Sequence, residues 1–88
     1  SNIQRENLLP SEKAFAYKMK NDALKHQGKK SDKSTYELVG DKAGDNAKTV
    51  QRYIRLTELH SGLLEMIDSN KLGIIVGVEL SFLKKEEQ

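Results

Sequence analysis

Between Ser34 and Thr57 the chain carries start and stop signals for two short helices separated by a three-residue break, and that spacing leaves few ways to fold. Ser34-Thr35-Tyr36-Glu37 matches a capping box, in which the Ser34 hydroxyl accepts from the Glu37 N–H and the Glu37 carboxylate reaches back to the helix start. A helix from Thr35 to about Ala43 follows. Gly44-Asp45-Asn46 then ends it: Gly44 can take a left-handed conformation and Asn46 is a good cap for a second helix from Ala47 to about Thr57. Two helices on so short a connection cross steeply, and the first must carry a small residue where the second packs. Gly40 supplies it, although glycine inside a helix costs about 1 kcal/mol relative to alanine. Val39 and Ala43 on the first helix, with Val50, Tyr53 and Ile54 on the second, give the pair its apolar side. Residues 35–57 thus fit a helix-turn-helix, with an ordinary helical hairpin as the plainer alternative.

The outer face of the second helix bears Lys48, Thr49, Gln51, Arg52 and Arg55. Such side chains bond base edges and phosphates, arginine pairing best with guanine and glutamine with adenine. A helix entering the major groove by its N-terminus sets Asn46, Ala47, Lys48 and Gln51 nearest the bases, and Arg52 and Arg55 toward the backbone or groove edge.

The flanking sequence is also helical in pattern. Leu9-Pro10-Ser11-Glu12 opens an entry helix that should run to about His26, with Phe15, Met19 and Ala23, and Ala14 and Leu24 alongside, as its core face. Residues 27–34 form a polar loop made basic by Lys29, Lys30 and Lys33; these lysines, with Ser34 and Thr35, are candidate phosphate contacts. Ser61 should cap a helix over 62–70 that turns Leu63, Leu64 and Ile67 inward. The β-branched run at Ile74–Val76 has no second strand to pair with, so a turn followed by a helix over 76–83 is expected.

Composition narrows the classes. An 88-residue chain, 36% hydrophobic with five aromatics, supports one small core and leaves no room for a cofactor domain. Cysteine is absent, so no disulfide framework or thiolate metal cage is expected. No apolar run approaches the roughly 20 residues needed to span a bilayer, so a soluble, cytoplasmic protein is expected. Positive charge is uneven: residues 1–25 carry five basic and three acidic groups, residues 26–55 seven and four, and residues 56–88 three and six. A local basic excess suits binding to phosphates, although solvated helix faces produce a bias of this size as well. His26 and His60 lack the spacing of a metal site, the carboxylates Glu65, Asp68, Glu86 and Glu87 lack an apolar pocket, and no serine has a nucleophile context. No enzymatic activity, cofactor or metal is therefore expected.

The order of these elements resembles the central DNA-binding domain of ParB/KorB-type partition proteins. Arg5-Glu-Asn-Leu-Leu-Pro-Ser-Glu-Lys-Ala14-Phe-Ala-Tyr17 is similar to the family's entry-helix pattern R-x-x-L-x-P-x-E-x-A-x-A-Y, and Thr49-Val-Gln-Arg-Tyr-Ile-Arg-Leu56 to its T-V-x-x-x-x-R-L signature. Leu63 to Leu72 and Val78 to Leu83 resemble the two helices that follow. The resemblance implies a small all-α domain of about five helices. It also implies recognition of an inverted-repeat double-stranded DNA site, as a centromere-like element or an operator, by a homodimer. In a longer protein it implies a partition ATPase as partner. The family's nucleotide-binding and dimerisation domains have no counterpart in residues 1–88, which read as a single domain cut from something longer. Two features depart from the pattern: the 27–34 loop is longer and more basic, and Asp45 stands in the turn where a neutral or basic residue would meet DNA more comfortably. A helical protein–protein module docking through Ile74, Ile75 and Val76 is the alternative of a different class.

Overall fold

The computed structural model describes residues 8–28 and 33–88, and these are all-helical. Among the described residues five helices follow in order: α1 (Pro10–His26), α2 (Thr35–Ala43), α3 (Ala47–Leu56), α4 (Ser61–Asp68) and α5 (Ile74–Leu80). The start of α1 is fixed twice. The Leu9 N–H donates to Glu12 Oε1 at 2.9 Å, and Ser11 gives its N–H (2.9 Å) and its hydroxyl to the Asp68 carboxylate at the end of α4. A carboxylate there also sits favourably against the positive end of the helix.

The buried face of α1 differs from the one its apolar residues suggest. Ala14, Tyr17 and Asn21 point inward, at i, i+3 and i+7, whereas Phe15 and Met19 are 49% and 73% exposed and Ala23 is exposed. Small and flat side chains let α3 lie close on α1, and the bulkier stripe is turned to solvent.

Two apolar clusters result. Ala14, Leu56, Leu59, Leu63 and Ile67 form one at the junction of α1, α3 and α4, with Ile74, Val78 and Leu80 of α5 packed against it. Tyr17, Val39 and Val50 form the other, with Leu24, Tyr36 and Ile54 around them. Tyr53 touches both, and its ring meets that of Tyr17 edge to face, 5.9 Å between centroids. Helix α3 packs against α1, α2 and α5 and is the hub of the domain.

The boundaries of the last two helices shift from expectation, α4 ending at Asp68 and not at Asn70. His60, not Ser61, caps α4, its Nδ1 accepting from the Gly62 N–H at 3.0 Å. Helix α5 begins at Ile74, two residues before the expected start, because Asn70 takes a positive φ of 63° and turns the chain early, leaving Gly73 as the cap. It ends at Leu80, three residues before the expected end, with Ser81 as its C-cap and the Ser81 hydroxyl bonded back to the Val78 carbonyl. The β-branched run is helical, with Gly77 buried against Ile67 and Leu56.

Candidate nucleic-acid interface

The junction of α2 and α3 is built as its residue types require. The Glu37 N–H donates to Ser34 Oγ at 3.2 Å and the Ser34 N–H to Glu37 Oε1 at 3.3 Å, so both halves of the capping box form. Gly44 ends α2 with φ of 82°, in the left-handed region that favours glycine. Asn46 Oδ1 accepts from the Thr49 N–H at 2.8 Å and starts α3. Gly40 is buried, and a Cβ built on it would collide with the carbonyl oxygen of Asp45 and lie 3.2 Å from Val50 Cγ2. The turn therefore packs directly on the backbone of α2.

Asp45, out of place by charge alone, has an internal function. Its carboxylate accepts a hydrogen bond from the buried Tyr17 hydroxyl and pairs with Lys13 Nζ at 3.0 Å. The same ammonium stands 4.7 Å from the Tyr53 ring centroid. Burial pushes the Asp45 carboxyl up, but the Tyr17 hydrogen bond and the Lys13 charge outweigh it and hold the group below the usual aspartate range. Burial, then donation to Asp45, pushes the Tyr17 hydroxyl well above its ordinary value. Thus the one acidic group in the turn is neutralised within the domain and directed at α1.

Lys48, Gln51, Arg52 and Arg55 lie side by side along α3 and line an open groove of about 500 Å³, whose other walls include Lys18, Tyr36 and Phe82. Lys48 and Gln51 are exposed and Arg52 is half-buried; among the described residues none of the three side chains is engaged in a hydrogen bond or ion pair. Four basic groups line the groove against one acidic group, Glu58.

The remaining described candidates are half-buried or have their polar groups engaged within the domain. Asn46 and Ser34 use their side-chain oxygens as caps, and Ala47, Thr49 and Thr35 are half-buried. Lys33 Nζ pairs with Asp41 at 2.6 Å, whose hydrogen bond and charge raise its ordinary ammonium value. Lys29 and Lys30 lie outside the described residues. Arg55, expected at the groove edge, turns its guanidinium to α5: Nε donates to Ser81 Oγ and Nη2 to the Ser81 carbonyl, each at 2.9 Å, and its carbon lies 4.1 Å from the Phe82 ring centroid.

Lys18, Tyr36 and Phe82 are groove residues that sequence reasoning misses. They come from α1, α2 and the turn just after α5, and no local spacing marks three residues brought together only by tertiary packing. Among the described residues no group of three or more His, Asp or Glu side chains is placed to hold a metal ion, and no helix is long and apolar enough to cross a membrane. No protein-family model matches the chain, and no curated protein or solved structure matches it either.

Proposed function

We propose that this domain binds double-stranded DNA sequence-specifically, using α2 and α3 as a helix-turn-helix with α3 in the major groove. The observation that carries the reading is the row Lys48, Gln51 and Arg52, hydrogen-bond donors with no partner among the described residues, on the face of a helix set in a basic groove. An α-helix with side chains is about 10–12 Å across, the width of the B-DNA major groove. The resemblance to ParB/KorB-type partition proteins adds the class of site: an inverted repeat used in plasmid or chromosome partition, bound by a homodimer that cooperates with a partition ATPase. An operator-binding repressor would use the same face, and the genomic position of the bound sites separates the two roles.

Selection of bound sequences from a random duplex pool tests the reading. A palindromic consensus is expected. Lys48→Ala and Arg52→Ala should each weaken binding to the selected duplex and flatten the dependence of log K on log salt by about 0.9 for each phosphate no longer neutralised, with the melting temperature nearly unchanged. Absence of enrichment, or salt-independent binding, would remove the proposal.

One observation favours a protein–protein module as the second reading. Ile75, Val76, Phe82 and Leu83 are 60%, 47%, 70% and 42% exposed on and just after α5, while Ile74 packs into the core. A partner held there would bind with little salt dependence, which is the outcome that separates the two readings.

A further inference from the structure

We propose that α3 is held in its reading pose by a pin at each end, Asp45 on Tyr17 and Lys13 at its start and Arg55 on Ser81 and Phe82 at its end. On this proposal Arg55 is a positioning residue and not a phosphate contact. The consequence for recognition rests on the DNA-binding reading of α3, but the pins are features of the domain itself.

The need for pins follows from the tolerance of base recognition. A helix of ten residues is about 15 Å long, so a tilt of only 10° about one end displaces the other by roughly 3 Å. Hydrogen bonds to base edges work over a window of about half an ångström. Caps and apolar packing set which side of α3 is buried, but they are weak constraints on tilt, because apolar contacts are non-directional. Directional contacts at both ends supply what packing lacks.

Each pin has that character. At the start, Asp45 immediately precedes the cap residue Asn46, and two groups of α1 converge on its Oδ2, the Tyr17 hydroxyl and Lys13 Nζ. At the end, the planar Arg55 fork takes the hydroxyl and carbonyl oxygens of Ser81, a residue only 3% exposed, and the Phe82 ring lies against the guanidinium. Lysine cannot reproduce a two-oxygen fork and a stacked plane together. The two charged residues that sequence would set against DNA, Asp45 and Arg55, are thereby both turned to the interior framework. Lys48 and Arg52 are left as the charged readers on α3.

The test uses the selected duplex and compares Arg55→Ala, Arg55→Lys and Ser81→Ala with Arg52→Ala. The first three should weaken binding tenfold or more with the salt slope unchanged, whereas Arg52→Ala should lower the slope by about 0.9. Ser81→Ala is the decisive variant, since it removes the hydroxyl half of the Arg55 fork without altering charge. A lowered slope in Arg55→Ala together with unaltered binding by Ser81→Ala would make Arg55 a phosphate contact and overturn the proposal. Amide hydrogen exchange without DNA gives a second readout that does not depend on function or on a fully stable variant. Asp45→Ala should speed exchange at the first turn of α3 and Phe82→Leu at its last turn, several-fold more than elsewhere. Unchanged exchange at both ends would sink the pins, even if the wild-type domain binds DNA. Faster exchange in a domain that binds no duplex would keep the pins and remove only the DNA-binding reading.

Discussion

Two glycines and one asparagine show how a single side chain decides local cost. At Gly40 the atom that an added Cβ meets is the backbone oxygen of Asp45, which cannot retreat without unseating the turn. At Gly77 the nearest atoms are side-chain ends, Ile67 Cδ1 at 2.6 Å and Leu56 Cδ2 at 3.0 Å. Overpacking costs about 1–3 kcal/mol, and glycine to alanine returns about 1 kcal/mol in a helix. Gly40→Ala should therefore destabilise by up to about 2 kcal/mol net. Gly77→Ala should cost clearly less, as read by urea unfolding, and the reverse order would contradict the packing described. Asn21 is 2% exposed and its Oδ1 accepts from no group among the described residues. A buried acceptor without a partner costs about 1–3 kcal/mol, and leucine has the same number of side-chain heavy atoms. Asn21→Leu should raise the melting temperature by about 4–8 °C if it recovers about 1 kcal/mol; a fall would show that the amide has a partner after all.

At the scale of the element, helix boundaries and helix orientation have different origins. Pro10, the Ser34–Glu37 box, Gly44 and Asn46 act within one turn of themselves, so the ends of α1, α2 and the start of α3 were legible in order and position. Orientation was not legible for α1, because periodicity identifies an apolar stripe without saying whether a neighbour covers it. The neighbour here is α3, whose Tyr53 needs the flat Tyr17 and the small Ala14 beside it, and Phe15 and Met19 are left outside. Phe15→Gln and Met19→Gln, alone or together, should change stability by no more than about 0.5 kcal/mol, whereas a loss of about 3 kcal/mol in chemical denaturation would restore them to a core. The candidate site divides in the same way: Lys48, Gln51 and Arg52 follow from helical spacing within α3, whereas Asp45 and Arg55 acquire their partners from α1 and from Ser81.

For the whole molecule, the Tyr17–Asp45–Lys13 unit couples folding to pH on both sides of neutrality. The folded Asp45 carboxyl lies below its unfolded value, so its contribution is fully present above the ordinary aspartate range near pH 4 and is lost as pH falls toward the depressed folded value. The Tyr17 hydroxyl lies above its unfolded value, so its contribution holds below about pH 10 and is lost as pH rises beyond that. Asp45→Asn should flatten the acid limb of the stability–pH curve measured by thermal melts, and Tyr17→Phe the alkaline limb. Steepened limbs would contradict the assignment. The sequence by itself determined what acts locally: an all-helical chain, the caps and breaks that set its helices, and a basic, donor-rich face on α3. Only the tertiary structure decided which face of α1 is buried, that Asp45 and Arg55 bond inward, and that Lys18, Tyr36 and Phe82 share a groove with α3. The physical reason is range. Caps, turns and helical spacing operate over three or four residues, whereas Tyr17 and Asp45 lie 28 residues apart, Arg55 and Ser81 26, and Ser11 and Asp68 57, distances that only packing closes.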